Sequence, residues 1–224
     1  MKLTTEKINE LLGIDDAYKA PSTLMSVLLD REKREKMFDS FLEIEKDLTF
    51  DWFHEYFQDE HADRKVKKQD FTPNSIGEII ARIVGTGNGQ TYEVATGTGG
   101  MIIQKWRADR NAIGFFAYKP SMTFYELEEL SDRAIPFLLF NLAIRGMNAT
   151  VVHGDSLDRK IKQIYFLQNS KDDSLAFSDV NVMPHSEIVT REFNVNEWLE
   201  DPIDHIESSL MAYLLPSKED RANE

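Results

Sequence analysis

The sequence predicts an α/β protein, a mostly parallel sheet flanked by helices, with a helical extension ahead of it. Three observations carry this. Segments of strand and helix pattern alternate between residues 91 and 157, the order that builds a parallel sheet joined by crossover helices. A glycine-rich run, "TGTGG" at 96–100, falls between a short strand and a helix start. The first 60 or so residues instead place apolar side chains at helical spacing inside charged stretches. The expected division is a helical N-terminal extension over 1–65, a main domain over 66–195, and a C-terminal helix with a loose tail over 196–224.

In chain order, Ile8, Leu11 and Leu12 open a helical spacing, which Phe38, Phe41 and Leu42 repeat within "REKREKMFDSFLEIEKD". Trp52, Phe53, Tyr56 and Phe57 then crowd one helix face in "FDWFHEYFQDEH", and the expectation is that this face docks onto the main domain. Thr72 and Pro73 read as a helix start, a capping hydroxyl followed by a proline in the first turn. Ile76, Ile79, Ile80, Ile83 and Val84 continue it as an apolar stripe that ends at Gly85. "TYEVA" is a strand, "MIIQKWRADR" a helix, and "AIGFFAYKPSMTFYELEEL" a β-rich stretch with a loop around Lys119 and Pro120. Ile135, Leu138, Leu139 and Leu142 share one face of the next helix, which Gly146 closes. "ATVVHGDSL" is a strand ending in a polar turn, and "LAFSDVNVMPHSEIV" contains a further strand.

Composition narrows the function. The 224 residues include 26 basic and 39 acidic side chains, a net charge of −13, so the whole-molecule field repels a polyanion. The basic run "RKVKK", with Arg64, Lys65, Lys67 and Lys68, reads as a solvated stretch that could serve as a local patch. No apolar run approaches the roughly 18 residues of a membrane span. With no cysteine and no apolar leader in "MKLTTEKINELLGI", the expectation is a cytoplasmic protein without disulfides or cysteine-based zinc sites. His54, His61, His153, His185 and His205 are scattered without a metal-ligand spacing, so no metal is expected.

The glycine run invites a ligand, because backbone N–H groups at a turn opening a helix receive polar groups and glycine lets them approach. A nicotinamide fingerprint needs a third glycine at 102, where the chain has Ile102. The earlier "GTGNG" precedes its strand instead of following one, and no phosphate-binding G-x-x-x-x-G-K-[ST] loop occurs. What remains is Glu93, three residues, then Gly97, Thr98, Gly99 and Gly100.

With "QDFTP" at 69–73 ahead of "EVATGTGG" at 93–100, the chain resembles the N-6 DNA methylase family, and in particular the modification subunits of type I restriction systems and their short phage-encoded relatives. Two further segments match, "FYELEELSDRAIPFLLFNLAIRGM" and "HGDSL", so the resemblance spans roughly residues 45–190. It implies a Rossmann-like S-adenosylmethionine-dependent methyltransferase fold. It implies that Phe71, Thr72, Pro73, Glu93, Ala95, Thr96, Gly97, Thr98, Gly99, Gly100, Glu126, Asp155, Ser156 and Leu157 hold S-adenosylmethionine, with Glu126 on the ribose hydroxyls and Asp155 facing the adenine amino group.

Active members of that family end a later strand in "N-P-P-F", which positions a flipped adenine. Here the alignment puts "MPHS" at 183–186 in its place, so Pro184, His185 and Ser186 are the candidate catalytic positions. Two readings stay open: an adenine methyltransferase with a divergent catalytic loop, and a cofactor-binding or regulatory subunit without methyl transfer. A third is a methyltransferase acting on RNA or a small molecule. Under the family reading the partner is DNA, reached through a specificity subunit or by dimerisation, and a homo-oligomer is compatible with the sequence.

Overall fold

The computed structural model describes residues 3–57, 79–80, 83–87 and 89–209. The helix start at Thr72 and Pro73, Phe71, Ile76, the "RKVKK" run and the C-terminal tail lie outside them. Of the stripe expected to follow, residues 79–80 and 83–84 are helical and exposed.

Helices α1 (Thr5–Leu12), α2 (Ala20–Leu28) and α3 (Arg31–Ile44) open the chain. Each boundary has a local cause. The Thr4 side chain accepts from the Lys7 N–H, Gly13 closes α1 at φ 65, Pro21 sits in the first turn of α2, and the Asp30 side chain caps α3. The sheet follows: β1 (Gly89–Val94), α4 (Gly100–Ile113), β2 (Thr123–Glu129), α5 (Ile135–Ile144), β3 (Ala149–Asp155), β4 (Lys160–Gln168), β5 (Asp179–Val182), α6 (Glu187–Glu192) and β6 (Glu197–Trp198).

Strand order is β1-β2-β3-β4-β5, with β6 alongside β4. β1, β2 and β3 are parallel, while β4 runs antiparallel to both β3 and β5. The sheet is therefore mixed: three of its five pairings are parallel, β1–β3 among them as expected, and β4 is reversed because of connection length. Only residues 156–159 separate β3 from β4, whereas a parallel neighbour needs a crossover of roughly a dozen residues or more. The run "KIKQIYFLQ" forms a strand that sequence reading passed over.

All ten residues of α5 are buried, because it is covered by the sheet on one side and the N-terminal segment on the other. Phe38, Phe41 and Phe53 meet Phe140 at ring separations of 4.8, 4.9 and 5.1 Å, and Phe53 meets Phe137 at 4.9 Å. Trp52, Phe53, Tyr56 and Phe57 are each at most 1% exposed. The expected docking of this aromatic face occurs, and one hydrophobic core joins α1–α3 to α5 and the sheet. A smaller core sets Val152, Ile161 and Ile164 against Val189 of α6 and Val195.

Past β6, residues 201–208 run without helix or strand and seal β5. Val182 N–H donates to the His205 carbonyl, and the buried Asn181 side chain accepts from Glu207 and Ser208 N–H and donates to the Phe166 carbonyl. No described helix is long and apolar enough to cross a membrane.

Candidate functional site

The carboxyl ends of β1, β2 and β3 converge on a cavity of about 390 Å³, within the usual range for a small-molecule site. Its floor is the loop from β1 to α4. That loop turns sharply, with positive φ at Ala95 (55°), Gly97 (62°) and Gly99 (99°), and for a non-glycine residue such as Ala95 this backbone is held only where the surroundings fix it. Thr96 N–H donates to the Glu128 carbonyl at 3.2 Å, and Gly99 N–H to the Thr96 carbonyl at 3.1 Å. A Cβ on Gly97 or Gly100 would meet no protein atom within 4 Å. One on Gly99 would meet Leu138 Cδ1 at 3.0 Å, so Gly99 serves packing against α5 and does not line the cavity.

The second wall is acidic. Glu129 Oε2 accepts from the Gly97 N–H at 2.7 Å, and its Oε1 from the Ser131 N–H at 2.7 Å. Glu128 receives Arg159 Nη1 on both carboxylate oxygens at 2.8 Å. Glu93 differs, since its Oε1 is buried without a hydrogen-bond partner and burial pushes its carboxyl up to about 8. The third wall is the turn after β3. Asp155 Oδ1 accepts from Leu157 and Asp158 N–H at 2.8 and 3.0 Å, bonds that hold its carboxyl below the ordinary value. Leu130 and Leu157 add exposed apolar surface at the rim.

Of the predicted residues the structure brings together Glu93, Ala95, Thr96, Gly97, Thr98, Gly100, Asp155, Ser156 and Leu157. Phe71, Thr72 and Pro73 lie outside the described residues. Glu126 is not in the wall. It pairs with Tyr92, three residues before the loop begins, and Val94 already pairs with Glu128, so the carboxylate at loop level is that of Glu129. Sequence reading also passed over His54, Met101, Glu128, Leu130 and Gly154. Counting the register from the carboxyl end of β2 would have pointed to Glu128 and Glu129.

The structure does not bring Pro184, His185 and Ser186 to this cavity. They follow β5, two strand positions beyond β3 and four from β1, and none of the three lines the cavity. They also have local duties: His185 stacks on Trp198 at 3.7 Å and pairs with Gln163 at 3.3 Å, and Ser186 caps α6.

Fold and cavity together define an α/β protein with a cavity at the carboxyl ends of parallel strands, the place where open α/β sheets take their ligands. Over residues 45–202, well over half of the chain, the sequence matches the N-6 DNA Methylase family. The chain belongs to that family, and so to the DNA adenine methyltransferase-like proteins. No curated protein matches it.

Proposed function

We propose that the cavity binds S-adenosylmethionine and that the chain serves methylation of the exocyclic amino group of adenine in DNA. The observation that carries the reading is the charge of the wall. Glu129 and Asp155 line the cavity as carboxylates beside the Arg159-paired Glu128 and the buried Glu93, and among the described residues no lysine or arginine lines it, while the Gly97 N–H, which an anionic ligand would need, is already held by Glu129. A pyrophosphate would be repelled there. A nucleoside bearing a sulfonium and an ammonium suits it, as does the open space over Gly97 and Gly100.

Glu93 Oε1 is the acceptor without a partner, and it would take the ligand's ammonium group. Glu129 keeps lone pairs for the ribose hydroxyls, the role the resemblance gave to Glu126. Leu130 and Leu157 would flank the adenine ring. When bound, the cofactor supplies an electrophilic methyl group.

A second reading, a cofactor-binding subunit that transfers no methyl group by itself, is favoured by the position of Pro184, His185 and Ser186 outside the cavity lining. Under either reading DNA contact falls to a partner, because a net charge of −13 opposes the phosphate backbone. The test is calorimetric titration of S-adenosylmethionine, with NADH as the comparison ligand. Saturable binding of the first alone is expected; binding of NADH alone, or of neither, would reject the proposal. Tritiated methyl transfer to unmethylated DNA, with and without a specificity subunit, separates the two readings.

A further inference from the structure

A buried polar chain reaches the glycine loop from the N-terminal segment, and the cavity chemistry leaves it unused. Its hub is Asp51, which is 2% exposed and does not line the cavity. Asp51 Oδ2 accepts from Thr98 Oγ1 at 2.5 Å, and Oδ1 accepts from Asn141 Nδ2 at 2.7 Å and from the Phe53 N–H at 2.9 Å. Asn141 Nδ2 also donates to the Thr98 carbonyl at 2.8 Å. Arg145 donates to Asn141 Oδ1 at 2.8 Å and to the carbonyls of Asn141, Leu48 and Phe50 at 2.7, 2.8 and 2.6 Å.

Three separate pieces of chain thus meet at Thr98, a cavity residue: segment 47–53, helix α5, and the loop itself. If the network served only to anchor segment 47–53, the bonds from Arg145 to the Leu48 and Phe50 carbonyls would suffice. The bonds of Asp51 and Asn141 to the Thr98 hydroxyl and carbonyl do something else. They fix the hydroxyl and the carbonyl of the residue between Gly97 and Gly99, at the centre of a loop whose two glycines leave its backbone free to take other shapes. The network is fully buried and reciprocally satisfied, so loss of one member leaves others unpaired.

We infer that Asp51 is a positioning residue for the ligand site, holding the glycine loop in its receiving shape through Thr98. The inference rests on the reading that the cavity binds S-adenosylmethionine. It makes the N-terminal segment part of the binding machinery, although that segment contributes no bond of Asp51 to the ligand.

The experiment compares the full chain with Asp51→Asn, Thr98→Val, Thr98→Ser and the Asp51→Asn/Thr98→Val double variant. S-adenosylmethionine affinity, melting temperature and amide exchange over residues 96–100 are measured for each. Asp51→Asn and Thr98→Val should each weaken binding by about tenfold, the scale of one charge-assisted hydrogen bond. Thr98→Ser should restore it, and the double variant should bind no worse than the weaker single. Unchanged affinity in a folded Asp51→Asn, or fully additive losses, overturns the inference. If the unaltered protein binds no S-adenosylmethionine, the cofactor reading fails and exchange decides this one. Faster exchange confined to 96–100 in Asp51→Asn supports it, and equal rates overturn it.

Discussion

The Glu129 carboxylate and the Gly97 backbone form the hinge of the site: Oε2 accepts the Gly97 N–H at 2.7 Å across the gap between β2 and the loop that follows β1. The other oxygen holds Ser131 N–H at the same distance, so one side chain ties together the two loops that flank the cavity. A glycine N–H at such a turn ordinarily waits for an anion. Here the protein supplies the anion itself, in the Glu129 carboxylate.

Replacing Glu129 should therefore matter more than replacing the nearby Glu126. In Glu129→Ala the Gly97 and Ser131 N–H groups lose a charged acceptor, and S-adenosylmethionine affinity should fall by about tenfold to a hundredfold. Glu126→Ala should stay within about twofold, as substitutions away from a site do. Calorimetric titration of both variants checks the assignment, and equal losses would return the ribose role to Glu126.

Glu93 gives the site a pH dependence whose sign is fixed. Burial without a partner raises its carboxyl to about 8, so at neutral pH the free protein holds it protonated. A bound cation favours the ionised form. Affinity should then rise with pH between 6 and 8, by up to about tenfold per pH unit, with release of close to one proton per ligand near pH 7. Titrations in buffers of different ionisation enthalpy count that proton, and Glu93→Gln should abolish both effects. Stability runs the other way. Because the folded value lies above the ordinary 4.5, the contribution of Glu93 is complete in acid and is lost as pH rises towards 8, so Glu93→Gln should gain on the unaltered protein over that interval.

How much of this was legible in the sequence depends on the range of each interaction. The strand, glycine loop and helix from 89 to 113 are consecutive, and their pattern suffices to place them. The buried stripe of α5 and the cap at Gly146 are equally local. Glu129 needed the pairing register of β1 with β2, which sequence spacing from a motif does not supply. The antiparallel β4 was hidden because its direction is set by a four-residue connection and not by its own residues. Asp51 lies 47 residues from Thr98, and no periodicity links the two. The same holds for "MPHS": alignment with the family pattern picked it out, but only the strand order shows that it follows β5, outside the cavity lining.

Two glycines with nearly the same backbone separate folding from binding. Gly97 (φ 62) and Gly146 (φ 65) both occupy the left-handed region. A Cβ on Gly146 would lie 2.3 Å from the Ala176 carbonyl oxygen and 2.7 Å from Asn169 Nδ2, and Asn169 pins that turn through bonds to the Gly146, Asp173 and Ala176 carbonyls. Gly146→Ala adds overpacking to backbone strain and should cost about 2–4 kcal/mol of stability, while the molecules that remain folded bind ligand normally. A Cβ on Gly97 meets no protein atom, so Gly97→Ala should cost only the left-handed strain, about 1–2 kcal/mol. Its methyl group takes space from the ligand, because Gly97 lines the cavity, and S-adenosylmethionine affinity should drop by about tenfold or more for each 1.4 kcal/mol of lost contact. Chemical denaturation and titration of the two variants measure both quantities. If Gly97→Ala binds as the unaltered protein does, the ligand does not sit over the glycine loop.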